Sequence, residues 1–203
     1  YEVLARMRIN GLVIQAKDFI TVAEELGLTR DVDLHIIGQA LKLTPPQYAL
    51  FLNVDMTSFN DRDFVGELSQ LLKPACDEGR SITIEITERE AIPLTEALHQ
   101  DIRTLRALGC ELALDDFGSG YSTYNFLNQF RPDYLKIEGS FVRGMLTNES
   151  DRKIVTHIHE LATSFGMKTI AESVEDAATE QALQEIGIGN AQGLFYGAPR
   201  LAS

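Results

Sequence analysis

The sequence predicts an α/β domain of the (β/α)8 barrel type, and three observations support this fold class. Short apolar runs rich in β-forming residues alternate with amphipathic helical patterns along the 203 residues, which is typical of repeated βα units and a parallel sheet. No linker rich in Pro, Ser or Gly divides the series, so we expect one domain over residues 1–203. An unbroken run of βα steps favours a barrel over an open sheet. A barrel of this type needs an eighth strand, which we expect to precede Tyr1.

The predicted elements follow one another in a regular order. The strands are expected at VLARMRI (3–9), ALFLNVD (49–55), SITIEIT (81–87), ELALDDF (111–117), DYLKIEG (133–139), KTIAESV (168–174) and AQGLFYG (191–197). Amphipathic patterns predict helices near 17–27, 31–43, 62–78, 94–108, 150–166 and 175–186. Glycines suited to left-handed C-terminal caps stand where these helices should end, at Gly27, Gly79, Gly109, Gly166 and Gly187.

Composition excludes several classes of function. The formal net charge of -12 argues against binding to a DNA or RNA duplex, because such binding needs basic patches. The apolar runs are too short to cross a bilayer, so we expect no membrane insertion by this domain. Cys76 and Cys110 lack metal-site spacing, and we expect two ordinary buried thiols in a reducing, cytoplasmic compartment. The chain opens on Tyr1 rather than Met, so we expect a piece of a longer protein, whose attachment to the inner membrane stays open.

Polar side chains lie in or near the end of nearly every predicted strand. They are Glu2, Asn53, Glu85, Glu88, Asp115, Asp116, Lys136, Glu172, Glu175 and Gln192. One such residue is more often a helix N-cap or a solvated loop residue. In an α/β barrel, however, the carboxyl ends of the strands meet at one mouth, where active sites lie. The repeated pattern therefore predicts a single polar site.

Clustered carboxylates indicate a metal site. At an effective dielectric constant near 20, each pair of carboxylates about 4 Å apart costs on the order of 4 kcal/mol. Cations or bound protons must offset that repulsion. Carboxylate and amide oxygens are hard ligands that suit Mg²⁺ or Mn²⁺, so we predict a divalent-metal site, with two ions.

The adjacent pair Asp115 and Asp116 favours two ions. Neighbouring strand residues point to opposite faces, so both can serve one site only where the backbone turns, and we expect Gly118 to supply that turn. One Asp could then bridge two metals, as in phosphoryl-transfer hydrolysis. Lys136 would orient the attacking water or stabilise phosphate charge. The alternative is that Lys136 only pairs with a neighbouring carboxylate.

Eight blocks along the whole chain resemble the EAL domains, bacterial phosphodiesterases that act on cyclic di-GMP. The blocks are EVLAR (2–6), similar to the naming EALLR segment, FITVAEELGL (19–28), LNVD (52–55), EITE (85–88), LDDFGSGYS (114–122), LKIEGSFV (135–142), IAESVE (170–175) and QGLFYG (192–197). The resemblance implies a (β/α)8 barrel with an antiparallel first strand, the strand expected upstream of Tyr1. It also implies hydrolysis of cyclic di-GMP to linear pGpG with two Mg²⁺ or Mn²⁺ ions.

The resemblance also implies roles for individual residues. Ligands of the first metal would be Glu2, Asn53, Glu85 and Asp115, and those of the second Asp115, Asp116 and Glu172. Lys136 would hold the activated water, Arg6 would contact a substrate phosphate, and Glu175 and Gln192 would line the substrate site. Glu88 would anchor the DDFGSGYS loop, which the family links to a dimer interface.

The sequence departs from the family pattern without losing a predicted metal ligand. IQAKDFI lacks the usual Pro, Val54 and Asp55 replace Leu and Ser of NLS, Ser173 replaces Gly, and Glu138 replaces Asp. Two alternatives to an active enzyme stay open: a receptor that binds cyclic di-GMP without cleaving it, and a dimerisation scaffold. As partners we expect cyclic di-GMP, a second copy of the chain, and an attached sensor or GGDEF-type domain.

Overall fold

The structure is a computed structural model that describes residues 1–87, 95–118 and 124–201. Its backbone forms two compact units. The first contains Tyr1–Glu85 and Thr95–Glu111, together with residue 201, and the second contains residues 86–87, 112–118 and 124–200. Among the described helices, none has the length and apolar composition needed to cross a membrane.

The first unit is built on a pair of parallel strands. Its elements are β1 (Arg6–Ile9), β2 (Leu12–Gln15), α1 (Ala16–Glu25), α2 (Thr29–Leu43), β3 (Leu50–Asn53), a 3₁₀ turn (Met56–Asn60), α3 (Phe64–Asp77), β4 (Ile82–Thr87, ending in the second unit) and α4 (Glu96–Ala107). Strands β3 and β4 pair in parallel. Leu50 and Leu52 of β3, nearly all of β4 and the inner face of α3, including Phe64 and Leu68, are almost wholly buried and form the core.

The first predicted strand was wrong in extent. Only Arg6–Ile9 of the run 3–9 is a strand, and it pairs antiparallel with β2 across a two-residue turn. Asn10 and Gly11 both have positive φ, 49° and 84°, as a type I′ hairpin turn requires. Glu2 instead forms an isolated parallel bridge to Phe51. Asn-Gly is a strong hairpin signal, and the periodicity of apolar runs does not contain it.

The second unit consists of successive βα steps. Its elements are β5 (Glu111–Phe117, beginning in the first unit), α5 (Tyr124–Phe130), β6 (Tyr134–Ile137), α6 (Gly139–Gly144), α7 (Glu149–Ser164), β7 (Lys168–Ala171), α8 (Ala177–Ile186) and β8 (Asn190–Ala191). Strands β5, β6, β7 and β8 pair in parallel with their neighbours in chain order. Apolar side chains of the strands pack on α7 and α8, with Leu135, Val155 and Leu183 among the buried residues.

Most sequence predictions of elements are confirmed, with two corrections. All five cap glycines have positive φ, between 67° and 103°. The run 191–197, however, leaves the sheet after Ala191. Gly193 (φ 152°) then passes so close to the backbone of Val174 that a side chain there would collide with it. The short helices α5 and α6 were not predicted, because seven and six residues are too few to show a helical period.

Candidate metal centre

Asp115 and Asp116 reach the same region because strand β5 is bulged at this point. The pairing of β5 with β6 shifts register between Leu114 and Phe117, and Asp116 has a left-handed φ of 55°. A bulge of this kind breaks the strict alternation of side chains. Gly118 does turn the chain, as expected, but the backbone already departs from regular strand geometry two residues earlier, at Asp116. Gly118 has a φ of 110°, and a Cβ there would lie 2.9 Å from Phe141 Cε2.

Lys136 joins two of the predicted acidic residues. Its side chain, from β6, is wholly buried, and its Nζ lies 3.0 Å from Asp115 Oδ1 and 2.8 Å from Glu172 Oε1. A buried ammonium loses its hydration, and two carboxylates at these distances offset that loss. Lys136 therefore pairs with two neighbouring carboxylates, and the alternative that pairing is its only role is not tested by these contacts. Its role towards water stays a prediction.

Glu172 is held from a second side. It follows the last residue of β7, and its backbone N–H donates to the Ile137 carbonyl at 3.3 Å. Gln192, just after β8, donates from Nε2 to Glu172 Oε1 at 2.9 Å. Consecutive parallel strands therefore aim Lys136, Glu172 and Gln192 at one point, as the strand-end pattern predicted.

The acidic group of the second unit fits a hard divalent cation. Asp115, Asp116 and Glu172 each offer an oxygen, and these atoms all lie within 4.8 Å of one another. The Asp115 and Glu172 side chains are 13% and 15% exposed, so solvent and ions can reach them. Within this group the three carboxylates outnumber the Lys136 ammonium, and an Mg²⁺ or Mn²⁺ ion would offset the excess negative charge.

The remaining predicted ligands form a group in the first unit. Asn53 ends β3 and is the register partner of Glu85 on β4, so the two side chains share one face of the strand pair. Asn53 Nδ2 donates to Glu2 Oε1 at 3.4 Å. Glu85 is only 1% exposed. The structure therefore brings Glu2 and Glu85 to the same asparagine, all three with oxygen ligands.

The other predicted residues lie outside these contacts. Arg6 is exposed at the start of β1, and its Nη1 donates to the carbonyl of Ala5 at 2.7 Å. Glu175 is exposed, next to Asp176, the N-cap of α8. Glu88, the predicted loop anchor, lies outside the described residues.

Asp33 supports the segment that follows Asn53, and the sequence patterns did not predict this role. Asp33 is 7% exposed, and its Oδ2 accepts hydrogen bonds from the Asp55 N–H at 3.1 Å and from Ser58 Oγ at 2.7 Å. It ties α2 to the segment that follows Asn53. An acidic residue in the first turns of a helix is ordinarily explained by the helix dipole, so no local signal separated Asp33 from a solvated residue.

Parallel βα steps with a carboxylate and lysine group at the strand ends define a class, the α/β barrel-type domains with an acidic site suited to a divalent cation. Within that class, the chain belongs to the EAL domain family, whose model matches residues 1–199.

Two curated relatives of the chain are named cyclic di-GMP phosphodiesterases. The chain is 34% identical over 207 residues to the cyclic di-GMP phosphodiesterase PdeF of Escherichia coli K12, covering 98% of this chain and 28% of that protein. It is 32% identical to the cyclic di-GMP phosphodiesterase PdeB of Shewanella oneidensis, covering 98% of this chain and 24% of that protein. The chain thus spans about a quarter of the length of these relatives.

Solved structures confirm the predicted fold class, a TIM-like α/β architecture. The EAL enzyme Bd1971 in its cAMP- and cyclic di-GMP-bound form aligns with a TM-score of 0.87 at 26% identity, over 98% of this chain and 57% of that chain. The MucR phosphodiesterase in complex with c-di-GMP aligns with a TM-score of 0.87 at 25% identity, over 99% of this chain and 85% of that chain.

Proposed function

We propose that this domain is a metal-dependent phosphodiesterase that hydrolyses cyclic di-GMP to linear pGpG. The observation that carries the proposal is the contact of buried Lys136 with Asp115 and Glu172 beside Asp116. Membership of the EAL family and the names of the curated relatives supply the substrate.

The two acidic groups would hold Mg²⁺ or Mn²⁺. We assign Asp115, Asp116 and Glu172 to one ion, and Glu2, Asn53 and Glu85 to the other. A pair of divalent ions, when bound, polarises the phosphodiester and lowers the pKa of the attacking water.

The protein side chains supply positioning. Lys136 is proposed to hold the attacking water through its Nζ, since its ammonium is fixed by two carboxylates and lacks rotational freedom. Gln192 orients Glu172 through the hydrogen bond already described. Arg6 is proposed to bind a substrate phosphate and Glu175 to line the substrate site. Both are exposed, so a ligand can reach them.

The test is turnover of purified protein with cyclic di-GMP and either Mg²⁺ or Mn²⁺, with pGpG measured by chromatography. We expect pGpG from the unaltered protein, none with a chelator, and at least a 100-fold loss of rate in Glu172→Gln. Lys153→Ala is a matched control for lysine variants, because Lys153 is an exposed lysine that pairs with Glu149 on α7. No turnover by the unaltered protein, or turnover that survives the loss of Glu172, would contradict the proposal.

The same experiment separates the enzyme from a receptor. Binding of cyclic di-GMP that persists in a chelator, with no product formed, would favour the receptor. We also propose a homodimer, on the family resemblance of the segment 114–122. Size-exclusion chromatography with light scattering, run with and without cyclic di-GMP, measures the molar mass in solution. The mass of a monomer under both conditions would contradict the proposed dimer.

A further inference from the structure

The two cysteines of the chain lie in contact within the first unit. Cys76 is in the last turn of α3, and Cys110 directly precedes β5. Their sulfur atoms are 3.9 Å apart although the residues are separated by 34 positions. The sequence led us to expect two ordinary buried thiols. That expectation was wrong for Cys76, which is partly exposed.

The two thiols differ in environment. Cys110 is 4% exposed, and burial raises the pKa of its thiol to about 12. A thiol reacts as the thiolate, so Cys110 is protected from reagents in solution. Cys76 is the sulfur that a small oxidant can reach first, and Cys110 is the neighbour that can displace it.

We propose that Cys76 and Cys110 form a reversible intramolecular disulfide when the protein meets a low-molecular-weight disulfide such as oxidised glutathione. The chain contains no third cysteine, so the pairing within one molecule is unique. A disulfide has an S–S length of about 2.05 Å, and each sulfur would have to move by roughly 1 Å to reach it. Because that displacement is small, rotation of the two cysteine side chains can supply most of it.

The chemistry consists of two exchange steps. The Cys76 thiolate attacks one sulfur of oxidised glutathione, forming a Cys76–glutathione bond and releasing one glutathione thiolate. Cys110 then loses its proton and attacks Cys76 Sγ, which forms the Cys76–Cys110 bond and releases the second glutathione thiolate. The two protein thiols are oxidised, one glutathione disulfide is reduced to two thiols, and the two protons pass through water to those products.

The bond would tie the end of α3 to the start of β5. It would close a loop of some 34 residues, and cross-links of loops this long restrict the unfolded chain substantially. We therefore expect the oxidised protein to melt about 5 °C or more above the reduced protein.

The experiment equilibrates the full chain in glutathione buffers of increasing oxidised fraction at about pH 8 and quenches it with acid. Mass spectrometry of the unaltered protein should show the loss of two hydrogens, with a peptide containing Cys76 joined to one containing Cys110. The conversion should be independent of protein concentration, as expected of an intramolecular reaction.

Matched variants distinguish the roles of the two thiols. Cys110→Ser should stop at a stable glutathione adduct on Cys76, whereas Cys76→Ser should stay unmodified in the folded state. Cys110→Ala serves as a second variant in case serine disturbs the buried position. Four results with the unaltered protein would each overturn the proposal. They are a protein that stays reduced in excess oxidised glutathione, accumulation of the Cys76 adduct, cross-linking between molecules, and a lower melting temperature after oxidation.

Discussion

Lys136 Nζ and Glu172 Oε1 lie 2.8 Å apart across neighbouring parallel strands, and the lysine side chain is wholly excluded from solvent. The same ammonium contacts Asp115. Removing one partner of such a buried group leaves charge without compensation, which is costly. This contact links the stability of the second unit to its proposed chemistry.

Replacing Lys136 should lower both the turnover rate and the free energy of unfolding. In Lys136→Met we expect turnover to fall at least 100-fold and the free energy of unfolding to fall by about 3 kcal/mol in a chelator, because Asp115 and Glu172 then repel each other. Mg²⁺ should raise the free energy of unfolding of this variant by more than that of the unaltered protein. Urea unfolding with and without Mg²⁺ measures both effects, and Lys153→Ala is the control. An equal response to Mg²⁺ in the two proteins would contradict the idea that Lys136 and the ion compensate the same carboxylates.

Asp116 should separate metal binding from folding. Its left-handed φ of 55° is tolerated by Asn as well as by Asp, so Asp116→Asn should change the free energy of unfolding by no more than about 0.5 kcal/mol. The amide carries no charge, and we expect affinity for Mn²⁺ to drop at least tenfold by calorimetry. If Mn²⁺ affinity were retained, Asp116 would be excluded as a ligand.

Gly139 and Ser173 should be energetically coupled. A Cβ at Gly139 would overlap Ser173 Oγ and lie 2.7 Å from Ser173 Cβ, so Gly139→Ala should cost about 1–3 kcal/mol of stability. Ser173 has a φ of 56°, which Gly adopts without strain. Ser173→Gly should therefore be nearly neutral and should remove much of the cost of Gly139→Ala. A double-mutant cycle measured in urea tests this, and additive effects of the two changes would contradict the overlap.

Stability at acid pH should depend on the N-cap of α8. The hydrogen bond from the Thr179 N–H to Asp176 Oδ1, 2.7 Å long, lowers the pKa of that carboxyl from its usual 3.8. Because the folded pKa lies below the unfolded one, the stabilisation is present above pH 3.8 and is lost as the pH falls through the folded pKa.

Asp176→Asn keeps the cap but removes the charge. Its melting temperature should lie below that of the unaltered protein at about pH 7 and approach it at about pH 3. Calorimetric melting at both pH values is the measurement. A difference that persists unchanged at the lower pH would show that the carboxylate charge is not what stabilises the helix end.

Local patterns predicted much of this molecule. The alternation of β-forming runs and amphipathic helices was sufficient for the α/β class, because period and capping act over a few residues. Polar residues after apolar runs predicted that Lys136, Glu172 and Gln192 would meet, since parallel strands bring their carboxyl ends together. The Asn10–Gly11 hairpin was also available locally and was missed.

The tertiary structure decided the rest. Asp116 adopts its left-handed backbone because the register of β5 against β6 shifts there, and register depends on residues far apart in the chain. Three other features also depend on residues that are far apart in the chain. They are the burial of Asp33, the contact of Lys136 with two carboxylates and the 3.9 Å distance between the sulfur atoms of Cys76 and Cys110. The sequence by itself determined which chemical groups the site could use. Only packing, which acts between distant residues, determined which of those groups touch.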